Sequence, residues 1–254
     1  MRFKKFSLNI LLNKPFTELE KFHSKTKFKK WLPAIEVKYW PESWKTTYFK
    51  EYPRLDKIIL SPPSNLKGIK LEDALMQRNS SRNFSKQKMT LENLSNFLYF
   101  SAGLRDNFPP WIANRTYPSP GGRYTLEVYL LSLNSELPKG VFHYNVRSHT
   151  LEVLDLIKDI KTNDYFNQDW ISKASCIIVV TAIFARNTIK YGDRGYRHIL
   201  EEAGHLGQNF YLNSIPLKLS VCGIGGYVDD RINRLLDVDG IKETVIYVLA
   251  VGKK

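Results

Sequence analysis

Cysteine is almost missing from this chain: only Cys176 and Cys222 occur among 254 residues. Both fall in apolar stretches that read as strands, so they are expected to be reduced core thiols rather than a disulfide or a metal pair, which fits the cytoplasm. No apolar run approaches the eighteen or so residues of a membrane span. Met1–Leu12 is basic and partly apolar, but it is followed by no small-residue cleavage site, and no signal peptide is read there. The five histidines, His23, His143, His149, His198 and His205, show no metal-ligand spacing, and HExxH is absent. The PSPGGR segment lacks the Gly-Lys-Ser/Thr ending of a P-loop, and Gly223-Ile224-Gly225-Gly226 has valine where GxGxxG needs its third glycine. There is no GxSxG elbow. These absences argue against metal hydrolases, P-loop kinases and serine hydrolases. Heptads, repeats and low-complexity tracts are missing too, which leaves a folded globular protein.

Acidic residues are also few. Lys and Arg number 38 against 25 Asp and Glu, a formal net charge of +13. The first sixty residues hold 14 of those cations against 6 acids. Such a surplus suits nucleic acid, an acidic peptide or an acidic partner protein. No nucleic-acid-binding motif accompanies the lysines, so a solvated basic surface is preferred to nucleic-acid binding.

What is present is a mixture of hairpin and crossover signals. Residues 1–64 read as a basic, aromatic-rich arm, broken by Pro15, Pro33, Pro41 and Pro53 and closed by Ser61-Pro62-Pro63-Ser64; it is expected to pack on the body or a partner. Residues 65–254 form the second domain. Leu71–Gln77 is a short helix, and Thr90 caps a helix that Gly103 ends. Asp106–Arg123 is a long loop of the kind that carries function. Leu126–Leu133 is a strand, and Val141–Tyr144 pairs with Thr150–Leu154 across a turn. Lys218–Cys222, a helix from Asp229 and a last strand at Thr244–Val251 complete an α+β order.

The chain is organised around Arg186–Ser214. The apolar, β-branched run Cys176–Phe184 reads as a strand buried on both faces. It empties into the polar loop Lys190–Arg197, which feeds a long helix with Ile199, Ala203, Leu206 and Phe210 on its apolar face. Ala203, Gly204 and Gly207 leave room for another backbone or a flat ligand, and helix packing alone also accounts for them. His205 reads as structural. Arg78, Ser80 and Arg82 put two guanidinium forks and a hydroxyl within five residues just past a helix, a set that binds phosphate by charge-assisted hydrogen bonds; surface Arg/Ser runs of no function look the same. Gly121-Gly122 and Gly225-Gly226 either approach a ligand with backbone N–H groups or make ordinary turns.

Together these segments carry a family resemblance. RNSSRNFS (78–85) resembles the R-x-S-x-R-x-F segment of the nitroreductase-like flavoproteins. RTYPSPGGRYTLEVYLL (115–131), GVFHYNVRSHTLEVL (140–154), IKYGDRGYRHILEEAGHLGQN (189–209), GIGGYVDD (223–230), VIYVLAVG (245–252) and FHSKTK (22–27) resemble one branch of it, the SagB-type azoline dehydrogenases. The resemblance implies a nitroreductase-like α+β fold, a central, mostly antiparallel sheet flanked by helices, and an intertwined homodimer with FMN at its interface. It further implies that Arg78 and Ser80 hold the FMN phosphate, with Lys253 or Lys254 within reach of it. Arg82 would lie by the pyrimidine edge, Pro118, Ser119, Gly121 and Gly122 would line the ring from the other subunit, and Gly225 and Gly226 would add backbone contacts. Lys190-Tyr191 matches the branch's Lys-Tyr base pair, the lysine needing a lowered pKa for which Arg186 and Arg194 are candidate neighbours. The activity implied is FMN-dependent oxidation of peptide thiazolines or oxazolines to azoles, with a cyclodehydratase complex as a partner the resemblance allows; an NAD(P)H-dependent nitroreductase and a non-catalytic scaffold subunit are the alternatives.

Overall fold

The computed structural model describes residues 17–28, 35–64, 66, 68–105 and 114–254. Met1–Leu12, Trp31 and the first part of the 106–123 loop lie outside the described residues. Two compact units divide the chain, Met1–Ala34 and Ile35–Lys254. In the first, helix α1 (Thr17–Lys25) contains most of the FHSKTK segment, and the hydroxyl of Thr26 closes its end by donating to the carbonyls of Phe22 and His23 at 3.0 and 3.1 Å.

The second unit is built on a seven-stranded sheet in the order β1-β4-β3-β2-β5-β7-β6. The strands are β1 (Lys57–Ile59), β2 (Leu126–Ser132), β3 (Gly140–Asn145), β4 (Thr150–Asp155), β5 (Cys176–Ile183), β6 (Leu219–Ile224) and β7 (Glu243–Lys253). Every neighbouring pair is antiparallel. The outer edge of β6 does not face solvent along its length: the amide of Ser81 donates to the Val221 carbonyl at 2.9 Å, and that of Ser85 to Lys253 at the end of β7 at 2.9 Å. Covering an edge this way removes a template for strand addition.

Period-two alternation sorts the side chains between two cores. Leu126, Val128 and Leu130 of β2, with Ile178 and Val180 of β5, face one cluster, while Tyr129 and Leu131, with Ile177 and Val179, face the other. The predicted two-faced burial of Cys176–Phe184 holds along β5, and both cysteines are buried, free thiols. The first face is covered by α4 (Leu91–Ala102) and α6 (Gly195–Ser214), which meet at Phe97 and Phe210 with ring centroids 5.1 Å apart. Thr90 caps α4 as expected, accepting from the Asn93 amide at 3.2 Å. Asn213 pins the seam by donating to the carbonyls of Asn96 and Phe97 at 3.2 and 3.0 Å.

The stretch Lys190–Arg197, expected as a loop, is helical. Helix α5 (Ala185–Tyr191) follows β5 directly and stops where Gly192 adopts φ 56°, a left-handed conformation open to glycine. One 3-10 turn (Gly192–Arg194) then reverses the chain into α6. Lys190 and Tyr191 therefore sit on the last turn of a helix, with less freedom than loop residues have. The remaining helices are short: α2 (Glu42–Lys45), α3 (Leu71–Gln77) and α7 (Asp229–Leu235).

Candidate active site

The predicted site residues fall into two groups held by opposite ends of α6. In the first, Arg78, Ser80 and Arg82 follow α3 in a segment that runs alongside β6, where the Ser81 amide donates to the Val221 carbonyl. Arg78 lies over the Tyr211 ring, 5.9 Å from its centroid, and Ser80 Oγ is 3.1 Å from the Tyr211 hydroxyl. Arg82 lies 5.6 Å from the Trp170 ring centroid. Phe84 packs on Gly252 and against Trp170. β6 ends at Ile224, which puts Gly225 and Gly226 next to this segment. Their roles differ. A Cβ at Gly225 would meet nothing within 4 Å, whereas one at Gly226 would lie 2.7 Å from Asn167 Oδ1 and 2.8 Å from Gln168 Nε2. Gly225 thus presents an open backbone, and Gly226 is small to let two amide side chains in.

The second group is Pro118, Ser119, Gly121 and Gly122 with Lys190 and Tyr191. Gly121 and Gly122 have φ 68° and 62°. A side chain at Gly121 would collide with the Tyr191 hydroxyl, while Gly122 faces open space. Glu202 of α6, fully buried, fastens this loop: it accepts from Ser119 Oγ at 2.8 Å, from the Thr125 amide at 2.9 Å and from Thr125 Oγ1 at 3.0 Å. Burial raises the pKa of its carboxyl, against the pull of those donors and of Arg115. Arg123 joins the loop to two helices, donating from Nε to the Arg186 carbonyl at 2.7 Å and from Nη1 and Nη2 to Trp44 and Ser43 of α2 at 2.8 and 2.9 Å.

Lys190 is roofed by tryptophan. Its ammonium lies 3.7 Å from the Trp40 ring centroid and 5.7 Å from that of Trp44, whose indole donates to the Ile189 carbonyl at 3.2 Å. Partial burial and the charge of Arg123 lower the pKa of Lys190. The expected neighbour Arg186 is engaged elsewhere: it is buried against Glu127 beneath the sheet. Tyr191 stacks edge-on with His198 at 4.8 Å, and burial raises its pKa despite Arg123.

Within the chain the two groups have different partners. Glu202 and Tyr211 are nine residues apart on α6, roughly 13 Å at 1.5 Å per residue. Sequence reasoning missed Glu202, Arg123, Trp40 and Tyr211; the stretch around Glu202 was singled out for Ala203, Gly204, Gly207 and His205, the last of which is exposed. Ser95, His149 and Tyr144 look like a hydroxyl–imidazole relay but form a structural clip. Ser95 donates to the Ser61 carbonyl at 2.6 Å and therefore accepts from His149 Nε2 at 2.8 Å, leaving Nδ1 to accept from Tyr144 at 2.8 Å. Ser95 is fully buried and has no hydrogen to give a base.

The relatives agree with this architecture. The nitroreductase family profile matches residues 75–253. A nitroreductase-family protein of Methanocaldococcus jannaschii is 32% identical over 193 residues, 75% of this chain and 94% of that one. The microcin B17-processing protein McbC of Escherichia coli is 27% identical over 165 residues, 61% of this chain and 58% of McbC. A solved structure of the E. coli microcin synthetase McbBCD complex with truncated pro-MccB17 bound has a chain similar in fold, with a TM-score of 0.58, 21% identity, and coverage of 94% of this chain and 92% of that chain. Fold, sheet topology and profile lead to one assignment: the chain belongs to the nitroreductase family, a family of oxidoreductases.

Proposed function

We propose that this protein is an FMN-dependent dehydrogenase that oxidises peptide thiazolines or oxazolines to azoles, as a homodimer in which each site draws on both copies. The observation that carries the reading is the pairing of Lys190 and Tyr191 with the Gly121–Gly122 loop on one wall, locked by Arg123 and Glu202. Similarity to McbC, a processing protein of a peptide, supports the substrate class.

The donor set suits FMN. Arg78 and Ser80 offer a cation and a hydroxyl to a phosphate, Gly225 and Gly122 present backbone that a planar ring can approach, and Arg82 adds a positive charge beside them. Bound FMN would supply the two-electron acceptor. The chain's own part is the proton. Turning an azoline into an azole removes two electrons and two protons, and a carbon-bound proton must go to a base. Lys190 is the candidate, because partial burial and Arg123 favour its neutral form. Tyr191 sits beside it to orient the substrate heterocycle. Two copies complete the site by the separation of the two groups along α6, with the Pro118–Gly122 loop of one facing the Arg78–Arg82 segment of the other.

Lys190→Ala separates base from cofactor. The variant is expected to retain FMN and to lose azoline oxidation by at least about a hundredfold; unchanged turnover would refute the assignment. Similarity to the M. jannaschii nitroreductase-family protein favours a second reading, an NAD(P)H-dependent reductase of a small molecule. Fast reduction of the bound flavin by NADPH alone would select it.

A further inference from the structure

We propose that Tyr211 is a positioning residue for the FMN phosphate, turning the Ser80 hydroxyl outward as a donor through a hydrogen-bonded chain that begins at the backbone of Gly223. This rests on the reading that Arg78 and Ser80 hold that phosphate.

A phenol has one hydrogen to give and two lone pairs to fill. The Gly223 amide donates to the Tyr211 oxygen at 2.7 Å, which fills one. The Gly223 amide can only donate, so of the two groups that hydrogen-bond to the Tyr211 oxygen only Ser80 Oγ, 3.1 Å away, can take its hydrogen. Ser80 then accepts from below and keeps its own hydrogen for a ligand. Hydrogen bonds in series polarise one another, so a hydroxyl at the end of such a chain is a stronger donor to an anion than an isolated serine.

The fold makes room for Tyr211 and its neighbour Tyr247 at two glycines. A Cβ on Gly207 of α6 would lie 2.5 Å from the Tyr247 ring, and one on Gly223 of β6 would lie 2.8 Å from the Tyr247 hydroxyl and 3.3 Å from that of Tyr211. The Tyr211 ring also faces Arg78, so a single side chain touches both phosphate-side groups.

The test compares FMN with riboflavin, which has the same ring and no phosphate, by flavin-fluorescence titration of apoprotein. The wild type is expected to prefer FMN by tenfold or more. Tyr211→Phe keeps the ring under Arg78 and deletes the hydroxyl; its FMN affinity should fall about five- to tenfold, equivalent to about 1–1.4 kcal/mol, while riboflavin affinity stays within twofold. Combined with Ser80→Ala it should weaken FMN binding no further than Ser80→Ala alone. A purely structural role would weaken both flavins alike, and that outcome, or an unchanged FMN preference, overturns the proposal. A wild type that binds FMN no better than riboflavin overturns the phosphate assignment itself, and this inference with it. Apoprotein melting curves check folding; should Tyr211→Phe not fold, Tyr211→Leu with the same comparison decides, a retained preference again counting against it.

Discussion

The Tyr191 hydroxyl occupies the space that a side chain at Gly121 would need. One residue closes α5 and the other turns the loop before β2, so a helix end and a loop tip are fitted to each other at the proposed reacting centre.

Gly121→Ala should therefore cost twice. The left-handed φ of 68° strains alanine, and the methyl must push Tyr191 aside. Such strain is worth about 1–3 kcal/mol. Urea unfolding should register the loss, and azoline turnover should fall with it, whereas Gly122→Ala, with the same strain and open space, should lose stability with a smaller loss of turnover.

Trp40→Ala tests the roof over Lys190. An indole face at 3.7 Å favours the ammonium, by about 0.5–2 kcal/mol. Removing it lets Lys190 lose its proton more easily. The ascending limb of the pH–rate profile, where Lys190 loses its proton, should move toward acid by about 0.4 to 1.5 pH units, at 1.36 kcal/mol each.

Glu202→Gln keeps shape and loses charge. Three donors converge on the carboxylate, and an amide can accept on one atom only. At about 1–3 kcal/mol for a buried group left unpaired, the variant should melt earlier. Limited proteolysis should cut the 114–125 loop faster than in the wild type.

The pH profile of stability follows from the charged layer beneath the sheet. His143, fully buried, lies 3.2 Å from Glu127 and 2.8 Å from Glu152. Burial pushes both carboxyls up, but Arg186 and His143 at Glu127, and His143 and Asn145 at Glu152, outweigh it and hold each at about 2. Unfolded carboxyls take up protons first, so the stability they lend is complete above the ordinary carboxylate range and is lost as pH falls toward 2. His143 runs the other way: burial lowers its pKa, and the two glutamates raise it more. Its contribution is full below the ordinary histidine value and drains away as pH climbs through the raised one. Urea midpoints should peak between those limits, at about pH 5–6, and the peak should flatten in His143→Gln.

Much of this was legible beforehand, and the limits have physical causes. The β5 run, the hairpin of β3 and β4 and the caps of α4 follow from local pattern. Arg78 and Ser80 meet the same side chain, Tyr211, whereas Arg82 lies by Trp170, a split that two-residue spacing alone does not announce. The α5 helix was missed because its polar residues mimic a loop until Gly192 is seen as a stop. Glu202 could not be recognised, since a buried carboxylate is defined by donors 77 and 83 positions away in sequence. Gly207 was ambiguous for the same reason: its occupant, Tyr247, comes from the last strand.

That occupant couples three positions far apart in sequence. A methyl at Gly207 would run into the Tyr247 ring and one at Gly223 into its hydroxyl, so either substitution requires the tyrosine to shift. Homologues that carry a smaller residue in place of Tyr247 are where alanine or serine should turn up at the other two, so substitutions here are expected to travel as a set.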